Sequence, residues 1–130
     1  MTFSNDKPIY LQMADRLADE ILAGTYAEGA RIPSVREYAA LLQVNINTAM
    51  KCFDELAREE IVYNQRGLGY FVSKGAVRRI TRQRRNAFLK QRLPELFRQM
   101  SLLGIGIESI DEAWDTWQKE NETTSKTTLS

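Results

Sequence analysis

Apolar residues recur at helical spacing along most of this chain and turn β-like only once. In the first stretch Ile9, Met13, Leu17, Ile21 and Leu22 share a side, with Tyr10 and Ala14 beside them, which predicts a helix from about Pro8 to Ala23. Pro8 suits a first turn, where its missing N–H costs nothing, Asp6 is placed to cap, and Gly24 ends the helix. Residues 1–6 read as a loose arm with Phe3 as an anchor. A turn from Tyr26 to Arg31 contains Gly29, and Ala30 to Ile32 is a short strand able to pair with a later hairpin. Val35, Tyr38, Ala39 and Leu42 then follow an i, i+3, i+4, i+7 rhythm, and Ala49, Cys52, Phe53 and Leu56 repeat it on a second helix. Only Gln43, Val44 and Asn45 separate the two. Ser34 and Glu37 have capping-box spacing for the first of them, and Asn45 is placed to cap the second with its side chain. Two β-rich runs, Ile61–Asn64 and Tyr70–Ser73, close around Arg66, Gly67, Leu68 and Gly69.

That order of helix, tight turn, helix and β-hairpin is a winged helix-turn-helix, a fold that points to DNA. The predicted class is mainly α (α+β): a winged helix-turn-helix DNA-binding domain over 1–75, a two-helix C-terminal dimerisation extension over 76–120, and a disordered Thr/Ser-rich tail over 121–130. The extension opens with a long basic helix over 76–103. Leu89, Leu93, Leu96, Met100 and Leu103 alternate spacings of four and three along it, a heptad seam with Phe88 and Phe97 beside it. Pro94 lacks the N–H that would reach the carbonyl of Lys90, so a kink there or a break near Arg92 is expected. Gly104 and Gly106 separate this helix from a last one, about Ile107 to Glu120, with Ile107, Ile110, Ala113, Trp114 and Trp117 on one face. So short a helix pair can hardly bury Phe97, Trp114 and Trp117 by itself, and each such side chain gains roughly 1.5–3 kcal/mol on burial. Either the extension folds back on the winged domain or it pairs with a second copy.

A recognition helix offers its N-terminal residues to base edges in the major groove. Here those residues are Asn45, Ile46, Asn47, Thr48, Met50 and, one turn in, Lys51. An Asn amide matches adenine bidentately, and Thr serves either a base edge or a phosphate. The plainer alternative is that Asn45 only caps and Asn47 is solvated. Arg36 offers a permanently charged fork for phosphate or guanine, or a salt bridge to a nearby acid. Gly67 and Gly69 let the wing tip turn tightly and come close to a partner. Arg66 beside them is either a minor-groove or phosphate contact or an exposed turn charge.

These pieces together resemble the DNA-binding domain of the GntR family of bacterial transcription regulators. The resemblance rests on Pro8-Ile9-Tyr10 with Gln12, on Gly24, Tyr26 and Gly29, on Arg31-Ile32-Pro33-Ser34-Val35-Arg36-Glu37, on Val44-Asn45 with Asn47-Thr48, and on Arg66-Gly67 with Gly69, Phe71 and Val72. It covers about residues 7–73 strongly and the remainder in outline, where the short extension looks like the YtrA-like subgroup. Ile46 departs from the proline or arginine found elsewhere in the family, Ala49 from a commoner valine, and Met50 from arginine. The resemblance implies that Ser34 and Arg36 meet phosphate or groove at the start of their helix. It also implies that Asn45, Ile46, Asn47, Thr48, Lys51, Arg66 and Gly67 belong to the DNA surface. It further implies a homodimer joined through Leu89, Leu93, Leu96, Phe97, Met100, Leu103, Ile110, Trp114 and Trp117, and often control of a transporter operon.

Composition narrows the alternatives. The chain has no histidine and a single cysteine, Cys52. Ser-His and Cys-His catalysis are thereby removed and no metal site is expected. Gly67 and Gly69 are not followed by a phosphate-loop signature, so no enzyme and no cofactor are expected. No apolar run is long enough for a membrane helix and no leader opens the chain. With its lone cysteine this suggests the cytoplasm. The net charge of +1 hides a strong asymmetry, because residues 76–100 hold 8 basic and 1 acidic side chains. Arg78, Arg79, Arg82, Arg84 and Arg85 in that stretch either follow DNA backbone or balance the acidic last helix. The expected function is sequence-specific transcription regulation, most simply repression, by a homodimer on a palindromic double-stranded operator. Two other classes stand beside it: a winged domain used for protein interaction, and a small-molecule sensor with its effector near Phe97, Trp114 and Trp117. Only about 55 residues follow residue 75, too few for a large effector domain.

Overall fold

The structure is a computed structural model that describes the backbone of residues 2–129 and the side chains of residues 2–122. It contains two compact units, residues 1–85 and 86–130. In the first, α1 (Ile9–Leu22), α2 (Val35–Leu42) and α3 (Ile46–Arg58) precede a hairpin of β1 (Val62–Gln65) and β2 (Gly69–Val72), and α4 (Ala76–Ala87) follows. The core takes Met13, Ala14, Leu17, Ala18 and Ile21 from α1, Tyr38, Ala39 and Leu42 from α2, and Ala49, Cys52, Phe53 and Leu56 from α3. The faces expected for α2 and α3 are therefore the buried ones, with Val35 partly buried at the edge. On α1 two positions differ: Ile9 and Leu22 are exposed. Ile9 lies in the first turn, and Leu22, nine residues after Met13, is rotated about 180° from it at 100° per residue.

Phe53 ties three elements together. Its ring meets Tyr38 of α2 edge-on, with centroids 6.0 Å apart, and Tyr70 of β2 at 4.9 Å. The hairpin is antiparallel, Val62 opposite Val72 and Gln65 opposite Gly69. In place of the short strand expected over Ala30 to Ile32 there is a single bridge beside the hairpin: Arg31 pairs with Phe71, Ile32 N–H donates to Tyr70 O at 3.0 Å and Val72 N–H to Ala30 O at 2.9 Å. The N-terminal arm is tied back rather than loose. Gln12 Nε2 donates to the carbonyls of Ser4 (2.8 Å) and Lys7 (2.7 Å), Ser4 N–H donates to Gln12 Oε1, and Phe3 packs against the core. Asp6 does not cap α1; Pro8 occupies that position without any side-chain cap.

The first compact unit runs to Arg85, because the start of α4 belongs to its core. Ala76 and Ile80 are buried there. Glu28 accepts Gly75 N–H at 2.8 Å and Val77 N–H at 3.2 Å, which caps α4 from a distant loop. Those two bonds hold the Glu28 carboxyl below the usual glutamate range. In the second unit a π-helical turn, Phe88–Arg92, leads into α5 (Leu93–Leu103), and α6 spans Ile107–Leu129. The π turn is the chain's answer to Pro94. Leu93 N–H reaches back five residues to Phe88 O, and the wider turn absorbs a ring that cannot donate to Lys90. Gly104 ends α5 in the left-handed region at φ 68°. The tail expected to be disordered, 121–130, lies outside the described side chains from residue 123 onward; before it, Asn121 Nδ2 donates to Trp117 O at 2.8 Å. Among the described residues no helix is long and apolar enough to cross a membrane.

Glu28→Gln tests the remote cap. A carboxyl whose folded pKa is depressed stabilises the fold above its ordinary value near 4.3 and loses that contribution as pH falls through the folded pKa. The variant is expected to melt below the wild type at pH 7, and the gap should close as the pH falls below about 4, as followed by circular dichroism.

Candidate nucleic-acid interface

Local chemistry fixes the start of each helix of the helix-turn-helix. At α2 the capping box is complete: Glu37 N–H donates to Ser34 Oγ at 3.1 Å and Ser34 N–H to Glu37 Oε1 at 3.2 Å. The Ser34 bonds, above all that of its side chain, pull the Glu37 carboxyl below its ordinary range. The turn is made by Gln43 in the left-handed region at φ 56°, with Val44 N–H returning to Ala39 O at 3.0 Å. Asn45 then caps α3, its Oδ1 accepting Asn47 N–H at 2.7 Å. The cap and solvated roles weighed for the two asparagines thus separate. Asn45 has its oxygen engaged, whereas Asn47 extends an exposed amide from the first turn.

Asn47 and Lys51 sit one turn apart on the exposed side of α3, and Ile46 is exposed before them. Thr48 is half-buried against the turn. Met50, which the resemblance does not assign to the DNA surface, is also exposed and lies three residues after Asn47 on the same side. Arg36 is exposed in the first turn of α2. Arg66 and Gly67 form the wing turn with Leu68, whose N–H donates to Gln65 O at 2.8 Å. Gly67 (φ 81°) and Gly69 (φ 111°) both need the glycine-only backbone. Behind the tip Tyr63 and Phe71 stack with centroids 5.7 Å apart. Arg31 is a second position not singled out: its Nε lies 3.0 Å from where a Cβ on Gly69 would stand. Its sequence signal was only its place at the head of the Arg31-Ile32-Pro33-Ser34 stretch.

The five-arginine cluster divides. Arg79 donates to Glu60 O (3.0 Å) and Lys74 O (2.9 Å), and Arg84 reaches Asp19 (2.5 Å) and Asp15 O (3.1 Å). Both are fastenings of α4. Arg78, Arg82 and Arg85 stay exposed and make no hydrogen bond or ion pair among the described residues. Burial pushes the Cys52 thiol up to about 12, so it is a packing group rather than a nucleophile.

In the second unit Leu89, Leu96, Phe97, Leu103, Trp114 and Trp117 are exposed, Leu93 and Ile110 half-buried, and Met100 already covered within the chain. The indoles of Trp114 and Trp117 are 54% and 55% exposed and stack at 5.7 Å.

Residues 9–72 match the family model of bacterial regulatory proteins, gntR family. The chain is 33% identical over 115 residues to the uncharacterised HTH-type transcriptional regulator YhcF of Bacillus subtilis, covering 88% of this chain and 93% of that one. This chain belongs to the GntR family. It is also 32% identical to the HTH-type transcriptional repressor YtrA of Bacillus subtilis, over 87% of this chain and 83% of that one. Among solved structures, a GntR-family chain from Bacteroides thetaiotaomicron superposes with a TM-score of 0.78 at 44% identity, covering 87% of this chain and 98% of the other. The winged helix-turn-helix and its YtrA-like character are thus established, and the chain is a DNA-binding transcription regulator by family and fold.

The division between the asparagines is measurable. Asn45→Ala should lower stability by about 1 kcal/mol through loss of the cap, read as a lower urea midpoint. Asn47→Ala, on an exposed face, should stay within about 0.5 kcal/mol of the wild type.

Proposed function

We propose that this GntR-family chain acts as a homodimeric repressor in the cytoplasm, each subunit setting α3 into the major groove of one half of a palindromic operator. The observation that carries the DNA side is the start of α3. Asn45 completes the cap, so Asn47 and Lys51 are left on one exposed face, carried by the same compact unit as Arg36, Arg66 and Gly67. In this reading Asn47 reads a base edge, Ile46 and Thr48 flank it, and Ser34, Arg36, Lys51 and the wing hold phosphate or groove. Repression follows the repressor role of the similar YtrA protein of Bacillus subtilis. Control of a transporter operon follows the family resemblance, and the structure gives no effector an identity.

The dimer is supported by the second unit, whose large apolar side chains stand uncovered along α5 and α6. Contiguous exposed apolar surface of this kind marks an association site. Leu89, Leu96, Phe97, Leu103, Trp114 and Trp117 supply it, with Leu93 and Ile110 at the margins.

Footprinting on DNA around the chain's own gene, at two salt concentrations, tests the whole reading. A symmetric protected site that persists at higher salt is expected, with half-sites about one helical turn or a multiple apart. Binding that vanishes with salt and leaves no discrete footprint would reduce the function to charge attraction. A folded dimer that binds at neither salt would turn the surface into a protein-interaction module. On the footprinted site Asn47→Ala should cost about 1–3 kcal/mol and relax one base preference; an equal loss on every sequence would refute base reading. Trp114→Asp should sediment as a monomer while the first unit keeps its melting transition. A surviving dimer would move the interface elsewhere.

A further inference from the structure

Arg31 stands where the wing meets the start of α2. Its backbone bridges Phe71 in β2, and two residues later the chain enters the capping box of Ser34. Its side chain runs along β2 toward the wing turn. Nε lies 3.0 Å, Nη2 3.5 Å and Cζ 3.6 Å from the place a Cβ on Gly69 would take. The guanidinium thus lies beside bare backbone, close enough that a Cβ on Gly69 would press against it. On the other side its charge is felt by Glu37 in the first turn of α2. Yet the residue is exposed, and its guanidinium makes no hydrogen bond or ion pair among the described residues. A flexible arginine usually pairs with an acid or trails in water. This one is laid in place with its donors unused.

We infer that Arg31 is a phosphate-binding residue of the DNA surface, seated by Gly69 between the wing and the start of α2. The inference rests on the DNA-binding reading above and adds a contact to it. A winged helix sends its recognition helix to the major groove and its wing tip to the minor groove, and the sugar–phosphate strand passes between adjacent grooves. Arg31 belongs to neither the tip of α3 nor the wing turn, so the ligand at its position is that strand. A planar fork of five donors suits a phosphate there. Gly69 thereby has two reasons to be glycine: its φ of 111°, and the seat it leaves for the arginine.

The test uses the full-length protein and a fluorescein-labelled duplex spanning the wild-type footprint, titrated across a range of salt concentrations. Arg31→Gln should weaken binding to this duplex and to a scrambled duplex by the same factor. It should also lower the slope of log affinity against log salt by about one. Arg31→Lys, which keeps the charge, should keep the slope. Thermal melting of both variants reads folding separately. An Arg31→Gln slope equal to the wild type, with or without a lowered melting temperature, would make Arg31 a wing-packing residue and overturn the inference. A loss confined to the footprinted duplex would overturn it too, by making Arg31 a base reader. Failure of the wild type to footprint any duplex appears before any variant is made. It removes the DNA reading itself, and the Arg31 contact with it.

Discussion

The edge-on contact of the Phe53 ring with Tyr38 and Tyr70 is the constraint on which the winged domain depends. It joins α2, α3 and β2, elements that share no long run of backbone bonding. Helix against helix is held by apolar stripes and the hairpin by its own ladder, and this aromatic chain, with Ile61, Val62 and Val72 buried in the same core, sets the wing against the helix that carries Asn47. Truncating a buried ring of this size costs about 3–5 kcal/mol, a large share of the about 5–15 kcal/mol that holds a typical domain together. The polar surface can therefore be sparse. Its geometry is set from beneath by apolar packing, and its side chains have little structural work besides capping.

Charge is divided in the same way. Counted along the sequence, the arginines from Arg78 to Arg85 look like one basic patch. In space Arg79 and Arg84 are fasteners, one on the end of α3 and one on α1, and Glu28 caps the same helix from the opposite end of the sequence. Arg79 meets the carbonyl of Glu60, just past the C-terminus of α3, whereas Asn47 lies in its first turn. The positive stretch is therefore fastened at the end of α3 remote from Asn47. Two of the five arginines that composition assigns to partners are used to hold α4 on the core.

What the sequence disclosed was local. The capping box at Ser34, the Asn45 cap and the buried faces of α2 and α3 all follow from spacing, because each is decided within a few residues. The wing strands fall one residue from their expected starts, since Ile61 and Ser73 carry strand-like neighbours but only a single further backbone bond. Non-local features were not legible. Nothing in the sequence ties Glu28 to Gly75, lays Arg31 on Gly69, or ties the arm to Gln12, because each joins groups whose meeting depends on the finished fold. The π turn before Pro94 was half legible: the proline announces a disturbed helix, but whether the chain kinks, breaks or widens is settled by the turn before it. Exposure of Ile9 and Leu22 shows the limit of hydrophobicity as a guide, since both are apolar and expected on the core face, and neither is buried.

Both tryptophans of the chain, Trp114 and Trp117, lie on α6, and the winged unit contains neither. The protein therefore carries a built-in optical label on one unit only. Its indole emission reports the polarity around α6, and any surface that covers those stacked rings shifts it toward the blue. The wing and α3 carry tyrosine and phenylalanine but no tryptophan, so they add nothing to that emission when indole alone is excited. Excited selectively, the unmodified chain lets an observer watch its second unit without disturbing the first.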